Sequence, residues 1–184
     1  MSLVRGFKSD AKKLSAEVRG EIGLSATDPL DHLLLAEHLA ITIIPMSQYL
    51  SECPNLSYFT SSGQKDFSAI TLFVDTWRMI IHNDSHAPCR QKSNIVHELA
   101  HALLQHPPAP PLNENGERNY NSDIEGEAHW LTGELLITDS AAMYVVKNKL
   151  EATTAADHYG VCPKMLKYRI SVTGAYQRVA RLRN

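Results

Sequence analysis

The pattern HELAH at positions 97–101 constrains this chain more than any other feature of its sequence. Histidines spaced i and i+4 on a helix project from one face, within reach of a single cation. A β-branched run, MIIHND, precedes the pattern, and a Pro-rich stretch that cannot continue a helix begins at Pro107. We therefore predict that HELAH lies on a helix that follows a strand and ends near His106.

The residues of this pattern suit a zinc site. Neutral imidazoles are good zinc ligands, so His97 and His101 are predicted to bind one Zn²⁺. Glu98 lies on the adjacent side of the same turn, where it can take a proton from a metal-bound water without binding the metal. We predict that Glu98 is the general base. The ordinary alternative for such a pattern is a buried structural histidine pair.

A hydrolytic zinc site usually has three protein ligands, so one more ligand is expected downstream. The version with a third histidine, HExxHxxGxxH, is excluded because its last fixed positions hold Leu104 and Pro107. His106 is one residue short of that spacing and is interpreted as an exposed histidine at a helix end.

A second helix, predicted from about Asp123 to Ile137, offers glutamates instead. At about 100° per residue, Glu127 borders the apolar stripe of this helix. Glu125 falls on the more exposed flank, and Glu134 lies two turns further along. Glu127 is therefore the favoured third ligand, with a solvated acidic flank as the alternative for all three.

The rest of the chain predicts an α+β fold of one compact domain with a small appendage. Four β-branched or aromatic runs predict a small, mostly antiparallel sheet of three or four strands: ITIIP, LSYFT, AITLFVD and MIIHND. Helical patterns precede the sheet at 9–23 and 29–40, and another covers 140–151.

The carboxyl-terminal region contains two short helical patterns joined at Gly160, which is compatible with a helix-turn-helix. The stretch 161–184 has no acidic residue and six basic ones, which are Lys164, Lys167, Arg169, Arg178, Arg181 and Arg183. This local charge keeps direct DNA binding open as an alternative.

Whole-chain properties narrow the class of protein. The formal net charge of −2 gives no general case for nucleic-acid or membrane binding. No apolar stretch approaches the roughly 20 residues that span a bilayer, and the first residues lack the apolar core of a secretory signal, so we expect a cytoplasmic protein. Cys53, Cys89 and Cys162 form no CxxC pair and are expected to be reduced thiols.

With these residues identified, the chain resembles the ImmA/IrrE family of metallo-endopeptidases over nearly its whole length. The segment RQKSNIVHELAHALLQH resembles the family's active-site block, and EGEAHWLTGELLI resembles its second block. In the second block the glutamate before alanine supplies the third metal ligand, which implies Glu127. The family's second block usually ends in a Leu-Met-Pro-like turn, whereas this one continues as Leu136-Ile137-Thr138-Asp139.

The resemblance implies a zincin-like metallopeptidase domain, predicted at residues 1–151, with a basic helical segment at 152–184 packed on or appended to it. It implies an intracellular zinc endopeptidase that cleaves, or otherwise antagonises, a helix-turn-helix repressor and so relieves repression. Tyr120, His129 and His82 are candidates for a second oxyanion donor. The alternative is a regulatory protein that the metal stabilises and that binds DNA or a repressor without proteolysis.

Overall fold

The computed structural model of the protein describes residues 3–75, 77–108 and 120–182. In those ranges the chain is mainly helical with one small sheet, which confirms the predicted α+β class. The elements are α1 (Phe7–Glu21), α2 (His32–His38), β1 (Ile41–Pro45), α3 (Ser57–Thr60), β2 (Ala69–Val74), β3 (Trp77–His82), α4 (Pro88–Leu103), α5 (Ser122–Leu136), α6 (Asp139–Lys147), α7 (Ala152–Tyr159), α8 (Pro163–Val172) and α9 (Ala175–Arg181).

The sheet is mixed, so the prediction of a mostly antiparallel sheet is wrong. Its strand order is β1-β3-β2, and β3 runs parallel to β1 but antiparallel to β2. The short connection from β2 to β3 permits antiparallel pairing, whereas the long excursion after β1 lets the chain re-enter the sheet in the same direction. Strand β2 is consequently an edge strand of the described sheet.

One predicted strand, LSYFT, is instead a turn of 3₁₀ helix followed by α3. The hydroxyl groups of Thr60 and Ser61 donate to the carbonyl of Ser57. Such local hydrogen bonds compete with strand pairing, so the aromatic character of the run was a misleading signal.

The two faces of the sheet have different neighbours. Helix α4 packs against β2 and β3 on one face, where Ile80 is completely buried. The alternate residues of the same strands line an apolar cavity of about 500 Å³, among them Ile70, Leu72, Met79 and Ile81. Side chains alternate between the faces of a strand, so neighbouring residues of β2 face the core and the cavity in turn.

Helices α4 and α5 pack against each other and contribute much of the core, including Ile95, Leu99, Leu131 and Leu135. Pro88 occupies the first turn of α4, where its missing N–H costs nothing. The side chain of Asn121 caps α5 by accepting from two backbone N–H groups of the first turn. Local sequence therefore sets where both helices begin, and packing sets their faces.

The segment after α5 explains the departure of the second block from the family pattern. Ile137 is extended and completely buried, and the Thr138 side chain then caps α6 by accepting from the backbone N–H of Ala141. A threonine cap thus starts the next helix without a proline turn.

The carboxyl-terminal helices pack on the preceding ones. Gly160 ends α7 in the left-handed conformation, with φ of 63°, and α8 follows after a short turn. Arg169 of α8 is completely buried, with its Nη2 atom 2.7 Å from Oε1 of Glu134 and its Nε donating to the carbonyl of Ile137. The helix-turn-helix role and the domain division at residue 151 stay predictions.

A disulfide joins Cys89, in the first turn of α4, to Cys162, immediately before α8. The expectation of reduced thiols is therefore wrong for this pair. The two residues are separated by 73 positions, so local spacing gave no signal of the pairing. Cys53 is free and exposed. In the described part of the chain, no helix is long and apolar enough to cross a bilayer.

Candidate metal centre

The HELAH segment occupies the last turns of α4. One helical turn separates His97 from His101, and both side chains are partly buried. Their Nε2 atoms are 3.2 Å apart, so both rings direct the same nitrogen to one point. The i,i+4 spacing produces the convergence that the sequence predicted for these two side chains.

Glu125, on the first turns of α5, completes a triangle with the two histidines. Its Oε2 atom is 3.1 Å from Nε2 of His97, and its Oε1 atom is 3.6 Å from Nε2 of His101. Tetrahedral zinc with ligands at about 2.0–2.1 Å requires donor atoms roughly 3.3 Å apart. The donor chemistry of these three side chains therefore fits a metal ion, and their nearest separations, measured to the two different oxygens of Glu125, are close to the tetrahedral spacing.

The predicted third ligand, Glu127, contacts His106. Its Oε2 atom is 3.2 Å from Nε2 of His106, and Nδ1 of His106 is 2.9 Å from Nδ1 of His101. The side chains of Glu125 and Glu127 are equally exposed, at 23 % each, so the predicted difference in exposure does not separate them. A helical wheel shows which residues border the apolar stripe but not which border lies over the histidines of α4.

Glu98 lies beside the histidines but points to the sheet. The Thr71 hydroxyl donates to Oε2 of Glu98 at 2.6 Å. Burial raises the pKa of Glu98, and the hydrogen bond from Thr71 opposes that rise. A buried carboxyl with one oxygen held by a donor is suited to exchanging a proton through the other oxygen.

Two histidines of the site, His101 and His129, have pKa values lowered by burial, which favours their neutral form. Burial, followed by the electrostatic interaction with His97, lowers the pKa of His101 to about 4. Burial also lowers the pKa of His129. Neutral rings keep the lone pairs that a metal requires, so no proton has to leave these two rings at neutral pH before a metal binds.

The candidate oxyanion donors occupy different places. The His129 ring lies 4.4 Å from the His97 ring, centroid to centroid, and its ligand atom is within 4.8 Å of those of His97 and Glu125. Tyr120 is exposed just before α5, and His82 is buried at the end of β3, where Asp84 and His86 are its charged or titratable neighbours. Of the three, His129 is the one that contacts a candidate ligand.

Sequence reasoning missed three contacts of the site. The interpretation of His106 as an exposed helix-end residue is wrong, since its side chain is 9 % exposed and touches His101. The position of Glu125 depends on how α5 crosses α4, and the Thr71 contact depends on sheet register. The five-residue spacing from His101 to His106 was a usable signal for the contact between these two side chains. No local sequence signal predicted the position of Glu125 or the contact of Thr71.

The fold and the convergent histidine and carboxylate side chains define an α+β protein with a candidate metal centre. The family model of the IrrE N-terminal-like domain, Peptidase_M78, matches residues 36–171. This is well over half of the chain, which therefore belongs to that peptidase family, and the resemblance to ImmA/IrrE proteins is confirmed. No curated protein and no solved structure matches the chain.

Proposed function

We propose that this protein is a zinc-dependent endopeptidase of the ImmA/IrrE type that cleaves a helix-turn-helix repressor and thereby relieves repression. The observation that carries the proposal is the triangle of donor atoms from His97, His101 and Glu125, beside the buried carboxyl of Glu98. Membership in a peptidase family supports a protein substrate.

The proposed metal ligands are His97, His101 and Glu125, with Glu125 taking the place that the sequence assigned to Glu127. The nearest polar atoms of the three side chains are separated by 3.1–3.6 Å, with Oε2 of Glu125 nearest to His97 and Oε1 nearest to His101, and these separations support this set. Two imidazoles and one carboxylate leave the fourth tetrahedral position open, as hydrolytic zinc sites require. One Zn²⁺ there would activate a water molecule and polarise the peptide carbonyl.

Glu98 is proposed as the general base. Thr71 already occupies Oε2, which leaves Oε1 as the oxygen that accepts the proton of the attacking water and passes it to the leaving amine. Burial raises the pKa of Glu98, which brings its proton affinity closer to that required at neutral pH. His129 is the proposed donor to the oxyanion, because its ring stands beside the candidate ligands.

The repressor and the cytoplasmic location follow from the family resemblance, and in a reducing cytoplasm the Cys89–Cys162 disulfide would form only under oxidising conditions. A narrow substrate range would suit a regulator, since a general peptidase in the cytoplasm would damage other proteins. The zinc-loaded protein should therefore be incubated with the helix-turn-helix repressor encoded nearest to its gene. New peptide termini are then read by gel and mass spectrometry.

We expect cleavage at one or a few bonds by the wild type. A chelator should abolish it, and so should Glu98→Gln, which retains the metal ligands. Zinc content and melting temperature of the variant serve as controls for folding. Cleavage that persists in Glu98→Gln would contradict the assigned base, and a zinc-loaded wild type that leaves the repressor intact would contradict the proposed substrate.

Two of the six basic residues behind the DNA-binding alternative form ion pairs within the fold, and one of the six, Arg183, lies outside the described residues. Arg169 is completely buried against Glu134, and Arg178 forms an ion pair with Asp139 at 2.7 Å. Lys164 and Lys167 are exposed and remain available to phosphates. Salt-dependent retention of duplex DNA that disappears in Lys164→Gln combined with Lys167→Gln would favour the alternative.

A further inference from the structure

We propose that Cys89 and Cys162 are a reversible redox site, two thiols under reducing conditions that an oxidant joins into the disulfide. The bond fastens the start of α4 to the start of α8 and thereby controls the stability of the folded protein. The inference goes beyond the proposed function and rests only on the cytoplasmic location proposed there. It assigns neither cysteine a part in peptide cleavage.

The disulfide stands out because of the compartment proposed for the protein. Glutathione and thioredoxin keep cytoplasmic thiols reduced, so a disulfide in that compartment is usually transient and either catalytic or redox-sensing. The Cα atoms of Cys89 and Cys162 are 5.2 Å apart, although the residues are 73 positions apart in the chain. That distance lies in the ordinary range for a disulfide, so the bond can form and break while the backbone stays in place.

Both cysteines are accessible to small molecules. Each is partly exposed, and the prolines that follow or precede them in the helix starts, Pro88 and Pro163, are exposed. Cys89 lies in the first turn of α4, and Cys162 is the N-cap residue of α8. The positive end of a helix stabilises a thiolate, the form of cysteine that reacts with an oxidant. The fold therefore brings two cysteines together in surroundings that favour oxidation.

The oxidant proposed for this pair is a hydroperoxide. One thiolate attacks a peroxide oxygen, which breaks the O–O bond and leaves a sulfenic acid. The second thiol attacks the sulfur of that group, the S–S bond forms and water leaves. In total, two thiols and hydrogen peroxide give the disulfide and two water molecules. A cellular dithiol reverses the oxidation by thiol–disulfide exchange and becomes a disulfide itself.

A non-covalent contact spans the same junction between α4 and the turn before α8. The ammonium group of Lys92, one turn after Cys89, donates to the backbone carbonyl of Tyr159 at 2.8 Å. Gly160 permits this approach, because a Cβ at that position would lie 3.0 Å from Nζ of Lys92. Tyr159 and Val161 are buried. We therefore expect the reduced protein to keep this junction folded but to hold it less firmly.

The junction also connects the helices that carry the candidate metal centre. Helix α4 contains HELAH, and α8 is anchored on α5 by Arg169, whose Nη2 atom is 2.7 Å from Oε1 of Glu134. Gly133 lets Arg169 pass close to α5, since a Cβ there would lie 2.9 Å from Cδ of the arginine. Helix α5 also carries Glu125. A bond that restricts the unfolded chain around this junction therefore stabilises both helices of the candidate site.

The first test is a redox titration of the wild-type protein in glutathione buffers that span the cytoplasmic and the oxidising ranges. Free thiols are alkylated, and mass spectrometry of the digest reports the state of each cysteine, with the free Cys53 as an internal control. We expect Cys89 and Cys162 to change together from alkylated to disulfide-bonded, and hydrogen peroxide to give the same product. A bond that persists in the cytoplasmic buffers, or two thiols that never pair, would overturn the proposal.

The second test compares the melting temperature of the oxidised and reduced wild type, so that no variant has to fold. Reduction should lower the melting temperature by roughly 10 °C, given the loop length and the size of the chain. Cys89→Ser combined with Cys162→Ser should melt like the reduced protein and show no response to peroxide. The matched control, Cys53→Ser, should respond as the wild type does. Equal melting temperatures in the two states would refute control of stability by the bond.

The outcomes separate this inference from the proposed function. Cleavage of the repressor, measured at a temperature at which both states are folded, should be the same with and without the bond. A protein that cleaves the repressor but shows no reversible oxidation would refute the redox site and leave the peptidase proposal intact. Reversible oxidation with the expected melting shift, in a protein that takes up no zinc, would support the redox site and contradict the proposed function.

Discussion

The Thr71 hydroxyl donates a 2.6 Å hydrogen bond to Oε2 of Glu98, so the edge strand β2 is bonded directly to the glutamate of HELAH. The contact joins β2 to α4, two elements that are separated in the chain by β3. It also selects the oxygen of Glu98 that stays free for proton exchange. The strand therefore influences the proposed base as well as the shape of the site.

Replacing Thr71 with valine tests this contact. Thr71→Val keeps the β-branched shape but removes the donor, so the pKa of Glu98, already raised by burial, should rise further. Because the base must be ionised, the acidic limb of kcat/KM against pH should move to higher pH, with zinc content unchanged. Thr71→Ser retains a hydroxyl and should keep the wild-type profile. Equal profiles for valine and wild type would show that the hydrogen bond does not tune the base.

The third ligand can be identified by substitution of the two glutamates of α5. Glu125→Gln should weaken zinc binding more than about a hundredfold, the upper end of the effect of residues outside the ligand shell. The same variant should lose cleavage and keep its metal-free melting temperature. Undiminished zinc affinity in this variant would eliminate Glu125 as a ligand and return the assignment to the remaining carboxylates.

The ion pairs of Asp139 lead us to expect that the stability of the protein depends on pH. Burial alone would raise its pKa, but hydrogen bonds from Lys12 and Arg178, each 2.7 Å long, outweigh burial and lower it below the ordinary value of 3.8. A carboxyl whose pKa is lowered by folding stabilises the protein above the unfolded-state pKa, and that contribution is lost as the pH falls through the folded-state pKa.

The corresponding measurement is urea unfolding of Asp139→Asn at neutral and acidic pH. We expect a loss of about 1–2 kcal/mol in the free energy of unfolding at pH 7, since hydrogen bonds to a charged group are lost. The difference from wild type should shrink below the ordinary pKa of an aspartate. A difference that stays constant through that range would assign the effect to packing.

Because a disulfide joins Cys89 to Cys162, we expect the protein to be less stable after this bond is reduced. Its bond closes a loop with a sequence separation of 73 residues. In the loop-entropy model, a loop of this length contributes about 4 kcal/mol to the free energy of unfolding. Cys89→Ser combined with Cys162→Ser should therefore unfold at lower urea concentration. Cys53→Ser, at an exposed free cysteine, is the matched control and should not change the midpoint.

Much of the secondary structure could be predicted because its signals are local. The helix that carries HELAH and the helix from Ser122 to Leu136 follow from apolar periodicity, with a proline and an asparagine at their starts. Helix α2 begins at His32, three residues after the proline predicted to start it, because Asp31 supplies the cap. Boundaries depend on which of several capping residues the chain uses.

The contacts between elements could not be predicted from the sequence in the same way. Parallel pairing of β1 with β3, the joining of Cys89 to Cys162 and the approach of Glu125 to His97 are all long-range. Each depends on how packed elements cross, and helical or strand periodicity describes only a single element. The family pattern pointed to Glu127 of α5, and the structure places Glu125 of the same helix nearest to His97 and His101.

The covalent link between Cys89 and Cys162 has a consequence for nicked forms of the protein. Both blocks of the candidate metal centre, HELAH and the helix with Glu125, lie within the ring that this bond closes. A single backbone cut between positions 89 and 162 would leave the two fragments tethered. Such a product would migrate as one species on a gel without reductant and as two after reduction, so limited proteolysis of this protein must be read under both conditions.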